Sequence, residues 1–94
     1  DLAVANSLMN SITLAWRRPV AYTNGLEVVL RLSLAPSGEL LNVRVHESSG
    51  DRLFDRSAIT AVQRAAPFEV VSLLDKDLFF KKFRSIVVRF KPQN

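Results

Sequence analysis

LEVVLRLSLAPSGELLNVRVHE, residues 26–47, decides the fold. Leu26, Val28, Leu30, Leu32 and Leu34 point one way and Glu27, Val29, Arg31, Ser33 and Ala35 the other, the period-two pattern of a strand with one buried face. A second alternation sets Leu41, Val43 and Val45 against Asn42, Arg44 and His46 and predicts a strand over about 40–47. Between the two, Pro36 supplies a fixed φ and Gly38 a left-handed position, the chemistry of a tight turn with a bulge. The stretch therefore reads as a β-hairpin over about 26–47.

Working outward, Leu2, Ala5, Leu8, Met9, Ile12, Ala15 and Trp16 recur at three- and four-residue steps, one stripe of an amphipathic helix over about 2–17. It stops before Pro19, because the residue preceding a proline avoids the helical region. On the other side, SSGDRLFDRSA (48–58) gathers serines, aspartates and arginines beside His46. Phe54, Ala58, Ala61, Val62 and Ala65 form a helical stripe behind it, over about 52–66, and Pro67 ends that helix. Asp51 or Asp55 then serves the orphan N–H groups of the first turn, and Gly50 the corner before it.

The same cluster does not make a nucleophile. His46 and Ser48, two residues apart on a strand, stand about 7 Å apart at the backbone, and no glycine-flanked serine marks a nucleophile elbow. No catalytic residue is assigned, and the protein is not expected to be an enzyme. A lone histidine without cysteine leaves no metal site and no cofactor is implied. Asp75 and Asp77 read as the entry to a short helix over about 75–83, Asp75 being its N-cap and Leu78, Phe79 and Phe83 its apolar side. The last strand, about 85–91, turns Ile86, Val88 and Phe90 inward and Ser85, Val87 and Arg89 outward, and Pro92 closes it. The order α-β-β-α-α-β describes an α+β domain, a three-stranded antiparallel sheet packed on one face by helices.

With 94 residues and nearly half of them apolar, the chain supports one domain, 1–94, with one core. No apolar run approaches the roughly 20 residues of a membrane span. The net charge of +4 comes from the second half, and from Lys81 onward Lys81, Lys82, Arg84, Arg89 and Lys91 meet no acidic residue. This end attracts anionic partners. Nucleic acid is not expected among them, since no recognition motif accompanies the charge and the aromatics sit at core-facing spacing. Three strands leave two edges, each a row of backbone groups that an extended peptide can join. SIVVRF (85–90) is the better candidate, having no internal Pro or Gly and lying within the basic tail.

LAWRRP (14–19), GLEVVLRLSLAPSGELLNVRVHESSGDRLFDRSAITAVQRAAPF (25–68) and LFFKKFRSIVVRFKP (78–92) together resemble the C-terminal periplasmic domains of the TolA family, with TonB domains as more distant relatives. The middle block fits either family; WRRP before the first strand and the FKKFR…FKP ending point to TolA. The resemblance implies a periplasmic interaction domain of the Tol-Pal envelope system, tethered to the inner membrane through N-terminal regions outside this chain, where the full protein meets TolQ and TolR. It implies the N-terminal segment of TolB as partner, with colicin translocation domains and filamentous phage minor coat proteins exploiting the same domain. A TonB-like domain would instead bind peptides of outer-membrane transporters. Some TolA domains carry a disulfide, which this cysteine-free chain lacks.

The expected mechanism is peptide capture by strand addition. Backbone groups of Ser85, Ile86, Val87, Val88, Arg89 and Phe90 would pair with the incoming strand, with Lys82, Arg84 and Lys91 as flanking cations. At about 0.5–1.5 kcal/mol net per hydrogen bond, less the ordering of a flexible peptide, affinity is expected on the order of micromolar. The residues alone leave open which alternate positions of the strand face the ligand.

Overall fold

The central strand of the domain is the first half of the hairpin. In the computed structural model, which describes residues 2–16 and 25–91, helix α1 (Leu2–Ala15) is followed by strands β1 (Val28–Leu34) and β2 (Leu40–Glu47). Helix α2 (Arg52–Ala65), a 3-10 turn (Glu69–Leu73), the one-turn helix α3 (Lys76–Leu78), a π-helical turn (Phe79–Phe83) and strand β3 (Ser85–Phe90) complete the order. The sheet is antiparallel throughout, with strand order β2-β1-β3. The end of the first helix near residue 17, the stop at Pro19 and the closing Pro92 lie outside the described residues.

Being central, β1 buries almost everything it carries. Val28, Leu30, Leu32 and Leu34 are each 2% exposed or less and face the helices. Val29, on the opposite face, is also buried, flanked in register by Glu47 on β2 and Arg89 on β3. Turn residues Ala35 to Glu39 close the hairpin: the Gly38 N–H donates to Ala35 C=O at 2.8 Å, and the Ala35 N–H donates to Glu39 C=O at 2.9 Å. Gly38 has φ +91°, and its own carbonyl accepts from Phe68 N–H at 2.7 Å. A Cβ there would stand 2.0 Å from the Phe68 carbonyl oxygen, so this glycine serves both the turn and its docking against the segment after α2.

Three sequence-based expectations need correction, two of them in β2 and α1. Of the alternating Leu41, Val43 and Val45 only Val43 packs against the core: Val45 is exposed, and a bulge between Ser33 and Leu34 pairs Leu34 with Leu40 and leaves Leu41 as the extra residue, 65% exposed. Leu40 takes its place against the core. In α1 the buried positions are Val4, Leu8 and Ile12, while Leu2 is exposed. At about 100° per residue, Leu2 sits about 120° from Leu8 around the axis and Val4 only about 40°.

Trp16, just after α1, ties three elements together. Its indole Nε1–H donates to Ser57 Oγ at 3.0 Å, and its ring meets Phe54 edge-on at 5.7 Å and Phe90 at 5.6 Å. The expected helix over 75–83 is divided: Asp75 caps it through Leu78 N–H at 2.8 Å, and after α3 the Arg84 N–H reaches back five residues to Phe79 C=O at 2.9 Å. Phe79 and Phe83 are buried and Phe80 is not. The 3-10 turn carries buried Val71 three residues after buried Phe68 and has no counterpart in the sequence reading.

Candidate functional site

The polar cluster at 48–58 is the entry to α2. Asp51 is its N-cap, accepting from Leu53 N–H at 2.9 Å and Phe54 N–H at 3.1 Å. Asp55 does something else: it is buried and accepts from the Ser48 hydroxyl, the Ser49 hydroxyl at 2.6 Å and the Ser49 N–H at 3.0 Å. Burial pushes its carboxyl pKa up, but these hydrogen bonds to Ser48 and Ser49 together outweigh it and hold the group below its ordinary value. Both serines and both aspartates are thus engaged in shaping a helix start. His46 is the exposed extra residue of a second bulge in β2, between the Val29–Glu47 and Leu30–Val45 pairs. Among the described residues, no cluster of three or more His, Asp or Glu side chains is placed to hold a metal.

The free edge of β3 has a different character. Its pairing with β1 runs without a bulge from Val28–Phe90 to Ser33–Ser85. At the head of this ladder the Leu34 N–H donates to Arg84 C=O at 3.0 Å, so the backbone of Arg84 faces β1. In an antiparallel pair the hydrogen-bonding direction alternates residue by residue. Ile86, Val88 and Phe90 therefore spend their N–H and C=O groups on β1, while Ser85, Val87 and Arg89 direct theirs outward. This narrows the six-residue expectation. Ile86, Val88 and Phe90 have no backbone left for a ligand, because β1 already uses it.

Side chains follow the same alternation. Val88 and Phe90 are buried and Ile86 half-buried on the helix side; Ser85, Val87 and Arg89 lie on the open face, Val87 at 48% exposure. Arg89 Nε pairs with Glu27 Oε1 at 2.6 Å, and Arg31 donates to Ser85 Oγ at 3.2 Å. On the helix side the edge is not flush with solvent. A groove of about 400 Å³ runs beside it, walled by Ala5 and Met9 of α1 and by Ile86, with Leu8 and Phe83 behind and Lys82 at its rim. Lys82, Arg84 and Lys91 are exposed.

The α1 wall was not legible as part of a site. Ala5, Leu8 and Met9 belong to the helical stripe read as core, and nothing in their spacing says that the helix overhangs the edge of the sheet. Only the position of α1 on the sheet places them there.

Comparison with known proteins agrees with this architecture. The family model for the TonB C terminal matches residues 5–87. The Tol-Pal system protein TolA of Pseudomonas aeruginosa is 32% identical over 87 residues, covering 93% of this chain and 25% of that protein, so the chain spans about a quarter of this relative. Among solved structures, that of TolAIII bound to a peptide derived from the N-terminus of TolB superposes with a TM-score of 0.87 at 31% identity, over 95% of this chain and 72% of that one. These relatives are interaction domains rather than enzymes. The chain belongs to the TonB C-terminal family and, within it, resembles the C-terminal domain of TolA.

Proposed function

We propose that this domain binds the N-terminal segment of TolB by strand addition at the free edge of β3, as part of a Tol-Pal system. The observation that carries the reading is the unbulged outer ladder of β3, where Ser85, Val87 and Arg89 offer alternating pairs of backbone donors and acceptors. Support comes from the similar TolAIII domain, whose solved complex holds a TolB-derived peptide. Three outward residues give several backbone hydrogen bonds, each about 0.5–1.5 kcal/mol net. Set against peptide ordering, they correspond to affinity on the order of micromolar. Lys82 and Arg84 at one end of the strand and Lys91 at the other are the flanking cations, favouring an acidic or neutral segment.

The setting that goes with this function is the periplasm, with the domain tethered to the inner membrane through regions outside this chain, alongside TolQ and TolR. No helix among the described residues is long and apolar enough to cross a membrane. The same edge would serve colicin translocation domains and filamentous phage minor coat proteins, since the hydrogen bonds of strand addition are made by backbone groups that every extended segment carries. The family match to the TonB C terminal favours one second reading, capture of periplasmic peptides from outer-membrane transporters.

The test is an NMR titration of the labelled domain with the mature N-terminal segment of TolB. Shifts concentrated at residues 84–91 and saturating at micromolar peptide are expected. An unperturbed β3 in the presence of bound peptide would move the site elsewhere, and binding only to transporter peptides would replace TolB by the second reading.

A further inference from the structure

Resting on the strand-addition reading, we propose that the site also selects side chains: the groove between α1 and β3 takes apolar residues at every second position of the incoming strand, and Lys82 and Arg84 hold a carboxylate at the Ser85 end. A strand added to β3 lies about 4.8 Å from it, with alternate side chains directed to the helix side and to the open face. Those on the helix side enter the groove. Its lining from Ala5, Met9 and Ile86 is half-buried, apolar surface that water now touches, and Leu8 and Phe83 behind it are already dry.

The segment Ile86–Arg89 spans about 13 Å, and same-face side chains on a strand recur at about 6.8 Å, so about two of them fit. Met9 adapts to aliphatic side chains of differing shape, whereas a polar side chain would lose its water with no partner on the wall. Side chains of the opposite phase pass over Val87 to solvent and go unselected.

Charge gives the polarity of the segment. Arg89 is already paired with Glu27, while among the described residues no carboxylate lies within 4.0 Å of Lys81, Lys82 or Arg84. Lys91, past the other end of β3, is a single exposed cation, so the greater positive charge gathers where β3 begins, and an acidic residue of the ligand belongs there. The occupant is an extended protein segment that is acidic at one end and apolar at alternate positions.

The test uses short synthetic peptides, one alternating leucine with threonine, one alternating phenylalanine with threonine and one of threonine alone, each made with a glutamate at one end or the other, titrated by NMR against the domain and three variants. On the wild-type domain the leucine peptide is expected to bind about tenfold or more tightly than the threonine peptide. Ala5→Leu fills the groove and is expected to shrink that ratio to under about threefold; Met9→Ala, which enlarges it, should shift preference toward phenylalanine in place of leucine. Val87→Pro should weaken both peptides. Loss on Val87→Pro with an unchanged leucine preference in Ala5→Leu and Met9→Ala would leave strand addition standing and overturn selection by the groove. Binding that ignores Val87→Pro would remove the β3 reading itself, and this inference with it.

Discussion

The two edges of the sheet are built from equally apolar alternations, yet they end as different surfaces. β2 carries a bulge at each end, with Leu41 and His46 as the extra residues, and its neighbouring hollow is lined by Glu39, Asn42 and Gln63 among others. Bulges twist a strand and interrupt its outer row of hydrogen-bonding groups, a common protection of edges. β3 has no such interruption, and an apolar groove runs along it. What distinguishes the two edges is regular register plus a groove beside the strand, rather than hydrophobicity of the strand.

The sharpest way to break the comparison is a matched pair of prolines. Since β1 uses its even-numbered residues toward β3, its odd-numbered ones face β2, and Val45 on β2 is the counterpart of Val87 on β3 in directing its backbone outward. Val87→Pro is expected to weaken binding of the TolB segment about tenfold or more, and Val45→Pro to leave it within about twofold, both on folded domains. Equal losses, measured by titration calorimetry, would erase the distinction between the edges.

A second prediction concerns how β2 is held. Gly38→Ala sets a Cβ against the Phe68 carbonyl and forces an L side chain into positive φ, and is expected to destabilise the domain by about 3 kcal/mol or more. Urea unfolding of the variant checks this, and a midpoint near wild type would mean that the turn and the segment after α2 move apart readily.

Acid acts more gently, through Asp55 at the entry to α2. The carboxyl of Asp55 sits below its ordinary value when folded, so the unfolded state takes up its proton first. The stabilisation is complete above the unfolded value near 3.8 and is lost as pH falls through the folded one. Asp55→Asn should flatten the decline of thermal stability below about pH 4, where the parent steepens. Identical acid profiles would take Asp55 out of the account.

The smallest expected effect is at the open face. Arg89→Ala removes the pair with Glu27, but the arginine side chain is 68% exposed, so stability should change by no more than about 0.5 kcal/mol. A larger loss in urea unfolding would mean that the Arg89–Glu27 pair shields Val29 beneath the open face.

Much of this was legible in the residues. The period-two runs of 26–47, the Pro36–Gly38 turn, the α2 stripe ended by Pro67 and the caps at Asp51 and Asp75 are local features, and local features obey spacing rules. The bulge at Leu41, the 3-10 turn after Phe68 and the π-helical turn before β3 were not, because each settles a competition between neighbouring backbone patterns that only packing resolves. The role of Asp55 was blurred for the same reason. Either aspartate satisfies the capping rule, and only the approach of Ser48 and Ser49 assigns one to the cap and the other to the loop before it.

By itself, then, the sequence determined the main helices and strands, the pairing of the hairpin and the family, since these follow from period, turn chemistry and long stretches of matching residues. Tertiary structure alone decided that β1 is central, that β3 rather than β2 keeps an unbroken edge, that Ser85, Val87 and Arg89 face outward, and that α1 walls a groove on the helix side of that edge. The physical reason is that strand order, bulges and ladder direction depend on contacts between residues far apart in the chain, for which one strand's alternation reads the same whichever neighbour it meets.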